Sequence, residues 1–194
     1  DKTLNMNMAS TDMNMDHYNA CGRFYGQNPR WNSPPHTVYI IQNVLDQQGQ
    51  PTGREINDEE KNTIIDVVKN RLPKLTDGFF PRNINIEIGN DPPNWGTAGY
   101  IIVAMDGYLP FQGANASWGA PDIYSAMTRL KPGTIHYPTY LQELSQNMGF
   151  LSDSDLIQPS VFNNGSPDNY TQHDLLMGKF KYNRPSSNRS PDKN

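Results

Sequence analysis

The segment that most constrains the fold is the apolar run Tyr100–Met105, which lies between Gly99 and Gly107. The run has no alternation of polar and apolar residues, so a strand formed by it must be covered on both faces. It is also far too short to cross a membrane as a helix. A strand of this kind lies inside a sheet, and it predicts a layered domain in which helices pack on that sheet.

The residues before this run predict a strand, a helix and a second strand. Thr37–Val44 is apolar and β-branched, which favours a strand. Asn57 and Glu60 have the spacing of a capping box, and helically spaced apolar residues follow them. The stretch Ile84–Ile88 alternates between apolar and polar residues, which indicates a strand with one wet face. This order implies a right-handed crossover into a mixed sheet, so the predicted fold class is α/β (α+β).

The second half of the chain predicts a long loop followed by two helices. Asp106 to Pro132 is predicted to be mostly loop, with at most a short strand or turn. A helix is predicted to begin near Pro138 and to stop at Gly149, because proline suits a first helical turn and glycine a helix end. A last helix is predicted from about Thr171 to Tyr182.

The two ends of the chain have the composition of non-globular segments. Residues 1–35 are rich in Asn and Met without a regular period, and we expect an extended arm there. Residues 183–194 have little to bury and are predicted to be a flexible tail. The domain is therefore expected to span residues 36–182.

Charge and cysteine content exclude several classes of protein. The formal net charge is -4 and no polybasic run occurs, which disfavours nucleic acid as a partner. No apolar run is long enough for a membrane span. Cys21 is the only cysteine, so no intrachain disulfide can form. Cys21 is predicted to have no histidine beside it and to be a buried or incidental thiol.

Three polar residues on the helix before Gly149 form the one pattern that points to a site. Gln142 and Gln146 are four residues apart, so they lie on one helix face a turn apart. Glu143 follows the first of them, and Gly149 allows a sharp turn. A zinc protease uses this geometry with two histidines as metal ligands and the glutamate as general base.

The segment resembles the metzincin motif H-E-x-x-H-x-x-G-x-x-H of the zincin clan. The resemblance places Gln142, Gln146 and Ser152 where the family has zinc-binding histidines, and it matches Glu143 to the general base. The stretches 149–155, 159–163 and 173–177 are similar to bacterial secreted families of unknown function in that clan. The resemblance implies a twisted mixed sheet with a crossover helix, an active-site-type helix and a C-terminal helix. It also implies a secreted protein, extracellular or periplasmic.

The changed ligands favour a function without catalysis. Carboxamide and hydroxyl groups are poor zinc ligands beside imidazole, so we expect no cofactor. The leading hypothesis is a pseudo-peptidase that binds a protein, peptide or glycan in the former substrate cleft. One alternative is a metal-dependent hydrolase with a non-standard zinc site drawn from His136, His173, Asp153 and Glu143, in which Glu143 is catalytic. Another is a structural subunit of an extracellular assembly that self-associates through the N-terminal arm.

Two further groups of residues have open interpretations. Trp95 and Trp118 lie in loops rich in Gly, Pro and Asn, where they could line a glycan or peptide groove or plug the core. The N-terminal arm contains four methionines and a histidine, which are Met6, Met8, Met13, Met15 and His17. Their thioether and imidazole groups suit Cu(I). The same residues also fit a disordered leader, or side chains that make apolar contacts on the domain.

Overall fold

A five-stranded mixed sheet forms the centre of the computed structural model, which describes residues 13–23, 27–119, 122–133 and 135–184. The strands are β2 (Thr37–Ile41), β5 (Asn85–Gly89), β6 (Tyr100–Met105), β7 (Gly113–Trp118) and β9 (Ser125–Leu130). Their spatial order is β5-β2-β6-β9-β7. All neighbours pair in parallel except β7, which is antiparallel to β9 and forms one edge. Two small sheets join β1 (Arg30–Trp31) to β8 (Asp122–Ile123) and β3 (Asn43–Leu45) to β4 (Pro51–Glu55).

The helices confirm the mixed α/β class and several predicted boundaries. They are α1 (Met15–Gly22), α2 (Asp58–Asp66), which continues through the π-helical turn Val67–Arg71 into α3 (Leu72–Leu75), α4 (Tyr137–Gln146) and α5 (Gln172–Asn183). The predicted capping box opens α2: Asn57 Oδ1 accepts from Glu60 N at 2.8 Å, and Glu60 Oε1 accepts from Asn57 N at 3.0 Å. Within the described residues, no helix is long and apolar enough to cross a membrane.

The central strand β6 divides the core into two layers. Ile101, Val103 and Met105 point towards the helices, where the larger cluster of buried residues lies. Ile102 and Ala104 point to the opposite face, into a smaller cluster under the β3–β4 hairpin and the loop before β6. All five residues are buried, as the unbroken apolar run predicts.

The loop predicted for Asp106 to Pro132 is wrong in part, because β7 and β9 lie within it. β9 is inserted between β6 and β7, and its residues are almost all buried. Its sequence, Ser-Ala-Met-Thr-Arg-Leu, contains only three apolar side chains. Position inside the sheet, rather than local apolar content, makes this segment a strand.

The extended arm predicted for residues 1–35 is also wrong for much of its described part. Residues 15–22 form α1, and Tyr18, Cys21 and Trp31 are buried in the main core. Residues 1–12 lie outside the described residues, as do the predicted copper ligands Met6 and Met8. At the other end, α5 includes Asn183, and Arg184 is buried, while the rest of the predicted tail lies outside the described residues.

Candidate functional site

Helix α4 carries the motif side chains on a well-anchored scaffold. Leu141 and Leu144 are fully buried against the sheet, and Pro138 lies in the first turn, as predicted. The helix ends in the turn 147–149, where Gly149 has φ of 100°, a left-handed conformation that favours glycine. Gly149 also packs against the carbonyl of Pro29, so a side chain there would collide with the backbone. The predicted turn glycine is therefore confirmed in position and conformation.

Gln146 joins a strand, a helix and a loop through its amide group. It is 3% exposed, and both ends of the amide are hydrogen bonded. Its Oε1 accepts from Asn115 Nδ2 of β7 at 2.6 Å, and its Nε2 donates to Asp153 Oδ1 at 2.6 Å. The amide nitrogen therefore faces a carboxylate as a hydrogen donor, which is the opposite of the electron-pair donation that a metal requires.

Gln142 faces the same loop from one turn earlier. Its Nε2 donates to Asn163 O at 2.9 Å and lies 3.4 Å from Asp153 Oδ1. One carboxylate oxygen thus accepts from both glutamines. The residue next to the glutamine pair is Asp153, whereas the motif spacing predicted Ser152. The backbone N–H of Ser152 instead donates to Cys21 O of α1 at 3.0 Å, and the residue is exposed.

Glu143 lies against the start of β7. The absence of a side chain at Gly113 makes this approach possible, because a Cβ there would lie 2.6 Å from Glu143 Cγ. Asn115 Nδ2 donates to Glu143 Oε2 at 2.7 Å. Burial raises the pKa of Glu143, the negative charge of Asp153 adds to the rise, and the hydrogen bond from Asn115 opposes it. Glu143 and Asp153 are thus bridged by the amides of Asn115 and Gln146.

The loop after α4 is fixed by Asn163 and Asp174. Asn163 Nδ2 bonds the carbonyls of Ser154 and Ile157, and its Oδ1 accepts from Ser160 N. The carboxylate of Asp174, at the capping box of α5, accepts from Ser160 Oγ at 2.6 Å and from Val161 N at 2.9 Å. These bonds hold the loop that presents Asp153 to the glutamines.

A second polar cluster surrounds His17 on α1. Its Nδ1 accepts from Ile157 N at 3.3 Å, so the proton of the neutral ring lies on Nε2, which faces Ser160 Oγ at 3.4 Å and Cys21 Sγ at 3.7 Å. Cys21 therefore does have a neighbouring histidine, one helical turn earlier in the sequence. Burial raises the pKa of Cys21 to about 12, so the thiol is buried and protonated.

The proposed alternative metal ligands lie in separate environments. His136 is exposed at the start of α4, where its Nδ1 bonds Thr139 Oγ1 at 2.8 Å. His173 Nε2 accepts from Asn14 N at 2.9 Å, and its ring packs edge-on to His17 at 5.6 Å. Asp153 contacts the glutamines. In the described part of the chain, no three His, Cys, Asp or Glu side chains are grouped so that they could hold a metal ion.

The edge of the sheet beside α4 has backbone groups directed away from β9. Gln112 O accepts from Lys131 N, and Trp118 O accepts from Tyr124 N, so the even-numbered positions of this stretch face β9. Because successive residues of a strand direct their N–H and C=O groups to opposite edges, Gly113, Asn115 and Ser117 direct theirs outwards. At the start of this edge lies a cavity of about 500 Å³. It is lined by Gln112, Ile135, His136, Thr139 and Gly165.

Trp95 and Trp118 lie on the other side of the sheet from this site. Along β7, Asn115 points to α4, whereas Ala116 and Trp118 pack with the smaller core cluster on the opposite face. Trp95 is 47% exposed in the loop before β6. The structure therefore does not bring the predicted aromatic residues together with Gln142 and Gln146.

Sequence reasoning missed Asn115 and Asn163, which complete the site. Asn115 is 31 positions from Gln146, and its strand had been predicted as loop. Only the approach of β7 to α4 identifies it, and no local pattern marks it. No protein-family model matches the sequence, and no curated protein is significantly similar to it.

Proposed function

We propose that this chain is a non-catalytic, metzincin-like domain that acts outside the cytoplasm and binds an extended peptide of a protein partner beside α4. The observation that carries the proposal is the amide network. Gln142 and Gln146 both direct an N–H group at Asp153, and Asn115 directs its own at Glu143. The motif side chains are thus engaged as hydrogen-bond donors and acceptors by Asp153 and Asn115.

Zinc does not fit this donor set. A carboxamide nitrogen has no available electron pair, and a carboxamide oxygen is a weaker ligand for zinc than imidazole or thiolate. The oxygen of Gln146 is also occupied by Asn115. Among the described residues, Asp153 alone presents a good metal ligand to the two glutamines. Glu143 acts as a hydrogen-bond acceptor for Asn115 rather than as a general base.

The outward edge of β7 suits an extended peptide. Unpaired N–H and C=O groups at a sheet edge are a template on which another chain can add a strand. Gly113, Asn115 and Ser117 present outward backbone groups next to α4 that pair with no other strand in the described part of the chain. Main-chain pairing of this kind gives affinity, and specificity comes from pockets that accept alternate side chains.

The cavity at the start of β7 supports the same binding mode. Its volume of about 500 Å³ lies at one end of the edge, so a peptide paired to β7 would pass its mouth. Ile135 provides an apolar wall, while His136 and Thr139 provide polar groups. A side chain with an apolar body and a polar tip, such as tyrosine, matches this lining.

The proposal is tested by selecting displayed random peptides on the full chain and comparing two variants of Ser117. Ser117→Pro removes the outward N–H without touching the bonds to β9, since proline is tolerated on an edge strand. Ser117→Ala keeps that N–H and removes a buried hydroxyl that has no hydrogen-bond partner among the described residues. We expect the proline variant to weaken binding about fivefold or more, because one backbone hydrogen bond contributes about 1 kcal/mol.

The alanine variant should bind the selected peptides with the same affinity as the original chain. Treatment with a chelator should change the affinity of neither protein. Circular dichroism confirms that both variants are folded. Equal affinity of the proline variant would show that peptides do not pair with β7. Selection of no peptide at all would reject the proposed function.

A further inference from the structure

Trp95 is displayed on a hydrogen-bonded loop on the sheet face opposite α4. The loop covers residues 90–99, between β5 and β6. At its start, Asn90 Oδ1 accepts from Asn43 N at 2.8 Å, and Asp91 N donates to Tyr39 Oη at 2.9 Å. At its centre, Thr97 closes a turn on Asn94 O through both its backbone N–H and its hydroxyl. The loop backbone on both sides of Trp95 is therefore hydrogen bonded, while almost half of the Trp95 surface remains exposed.

Two cavities flank the Trp95 side chain. The first, of about 430 Å³, is bounded by the loop and the β3–β4 hairpin. The second, of about 270 Å³, extends over the end of β6. Both are lined by Trp95 and Leu45. The volume of the first cavity by itself falls within the range of small-molecule sites, about 300–1,000 Å³. A ligand with linked units could occupy both cavities and cross the indole between them.

The lining of the first cavity selects for a neutral polar ligand. Asn43, Gln50 and Asn90 contribute amide side chains, while Ile41 and Leu45 provide a buried apolar floor. None of the residues that line it carries a charge. Amides can both donate to and accept from hydroxyl groups. Because Asn90 Oδ1 already bonds Asn43 N, a ligand would meet the Nδ2 group of this amide as a hydrogen-bond donor.

The charged residues of the second cavity are held by local ion pairs and hydrogen bonds, and Arg129, its one cation, is paired with a carboxylate. Asp106 Oδ2 pairs with Arg129 Nη1 at 3.1 Å, and Asp106 Oδ1 accepts from Tyr108 N. Asp46 Oδ1 accepts from the backbone N–H groups of Gln48 and Gln50. The site as a whole offers an aromatic platform, planar polar groups and no positive charge that lacks an acidic partner.

We propose that this surface binds a neutral oligosaccharide, with one pyranose ring stacked on Trp95 and a neighbouring unit in the first cavity. A sugar ring has an apolar face of C–H groups that packs on an indole, and an equatorial rim of hydroxyls that bonds to amides. An anionic ligand would lose hydration without gaining a partner, because the one cation that lines the cavities, Arg129, is already paired with Asp106. The site is separate from the peptide edge of β7, because no residue of β7 lines either of the two cavities beside Trp95.

The test is a calorimetric and tryptophan-fluorescence titration of the full chain with cellohexaose, N-acetylchitohexaose, maltohexaose and xylohexaose, and with a heparin hexasaccharide as the charged comparison. We expect at least one neutral sugar to bind. Trp95→Ala should raise its Kd about tenfold or more, because the stacking platform is lost. Gln50→Ala should raise the Kd by a smaller factor. Phe111→Ala is the matched control, since Phe111 is 65% exposed and lines neither cavity.

Three results would overturn the proposal. These are no binding of any neutral sugar, an unchanged Kd for Trp95→Ala, or tighter binding of the charged oligosaccharide than of every neutral one. Trp95 is at the surface, so its variant is expected to fold, and circular dichroism checks this. Peptide selection on the Ser117 variants is unaffected by any of these outcomes, so the two proposals can fail independently.

Discussion

At the scale of single residues, a carboxamide and an imidazole have a similar reach from a helix but opposite chemistry. Glutamine Nε2 and histidine Nε2 lie at comparable distances from the backbone. The first carries hydrogens, whereas the second, in the neutral ring, can offer an electron pair. In this chain the two glutamine nitrogens meet at Asp153 Oδ1. Gln142 and Gln146 thus occupy a ligand-like position with donors of the wrong kind.

A first prediction follows from this geometry. The Gln142→His and Gln146→His double variant should bind one zinc ion, because two imidazoles and the carboxylate of Asp153 form a sound zinc ligand set. The unmodified chain should show no stoichiometric zinc. Native mass spectrometry after incubation with zinc and removal of excess metal measures both. Stoichiometric zinc on the unmodified chain would refute the non-catalytic proposal.

The control for this prediction adds Asp153→Asn to the double variant. Zinc affinity should then fall by more than the roughly 10- to 100-fold that loss of an outer-shell partner costs. Adding Ser152→Ala instead should leave the affinity unchanged, because Ser152 is tied through its backbone to α1. A larger loss of zinc affinity with Ser152→Ala than with Asp153→Asn would show that the motif spacing, rather than the observed loop, identifies the third zinc ligand.

The difference between a regular helix and an irregular loop explains which residues of the site could be predicted. Gln142, Glu143 and Gln146 were grouped correctly, because helical spacing fixes which side chains share a face. The identity of the next residue depends on the path of an irregular loop. That path is set by bonds from Asn163, Asp174 and α1, which no local pattern encodes.

At the scale of elements, α1 shows why part of the fold was missed. Its buried residues include His17, Tyr18 and Cys21, and none of these is an aliphatic residue that marks a helical stripe. Its Ncap is Asn14, whose Oδ1 accepts from His17 N at 2.9 Å. The helix is stabilised by tertiary packing rather than by its own pattern. Strand β9 was missed for the same reason, because its place in the sheet stabilises it and its own sequence has few apolar residues. Helix α2 could be predicted, because its capping box and its apolar spacing both indicate a helix.

A second prediction tests whether α1 is a structural element. Tyr18 is fully buried, its ring packs edge-on to Phe150 at 6.4 Å and Phe180 at 5.1 Å, and its hydroxyl accepts from Arg184 Nε at 3.1 Å. Tyr18→Ala should lower the free energy of unfolding by about 3–5 kcal/mol, through lost burial and a cavity. Asp16→Ala, on the exposed side of the same helix, should change it by no more than about 0.5 kcal/mol. Urea denaturation measures both, and a similar small effect at both positions would mean that α1 is dispensable.

At the scale of the whole molecule, helices α1 and α5, which are far apart in the sequence, converge under the site. His17 of α1 contacts Ser160 in the loop after α4, and Ser160 bonds Asp174 of α5. Nearby, Lys181 Nζ of α5 donates to Asn28 Oδ1 and Pro29 O. The overall layering of a sheet under helices could be predicted from the run Tyr100–Met105. This convergence could not, because it depends on contacts between residues more than a hundred positions apart.

The last prediction concerns how this convergence responds to acid. Burial lowers the pKa of His17 below its ordinary 6.5, and the neighbouring His173 lowers it further. Just below pH 6.5, the unfolded chain therefore binds more protons than the folded chain. The free energy of unfolding keeps its full value above that pH and falls as the pH decreases.

His17→Asn should reduce this acid-induced loss of stability, because the Oδ1 atom of asparagine can accept from Ile157 N but does not titrate. Urea denaturation of both proteins above and below pH 6.5 measures the effect. Since His173 still titrates in the variant, the slope should decrease without vanishing. Identical slopes would show that the ring of His17 is not the group that couples the N-terminal helix to pH.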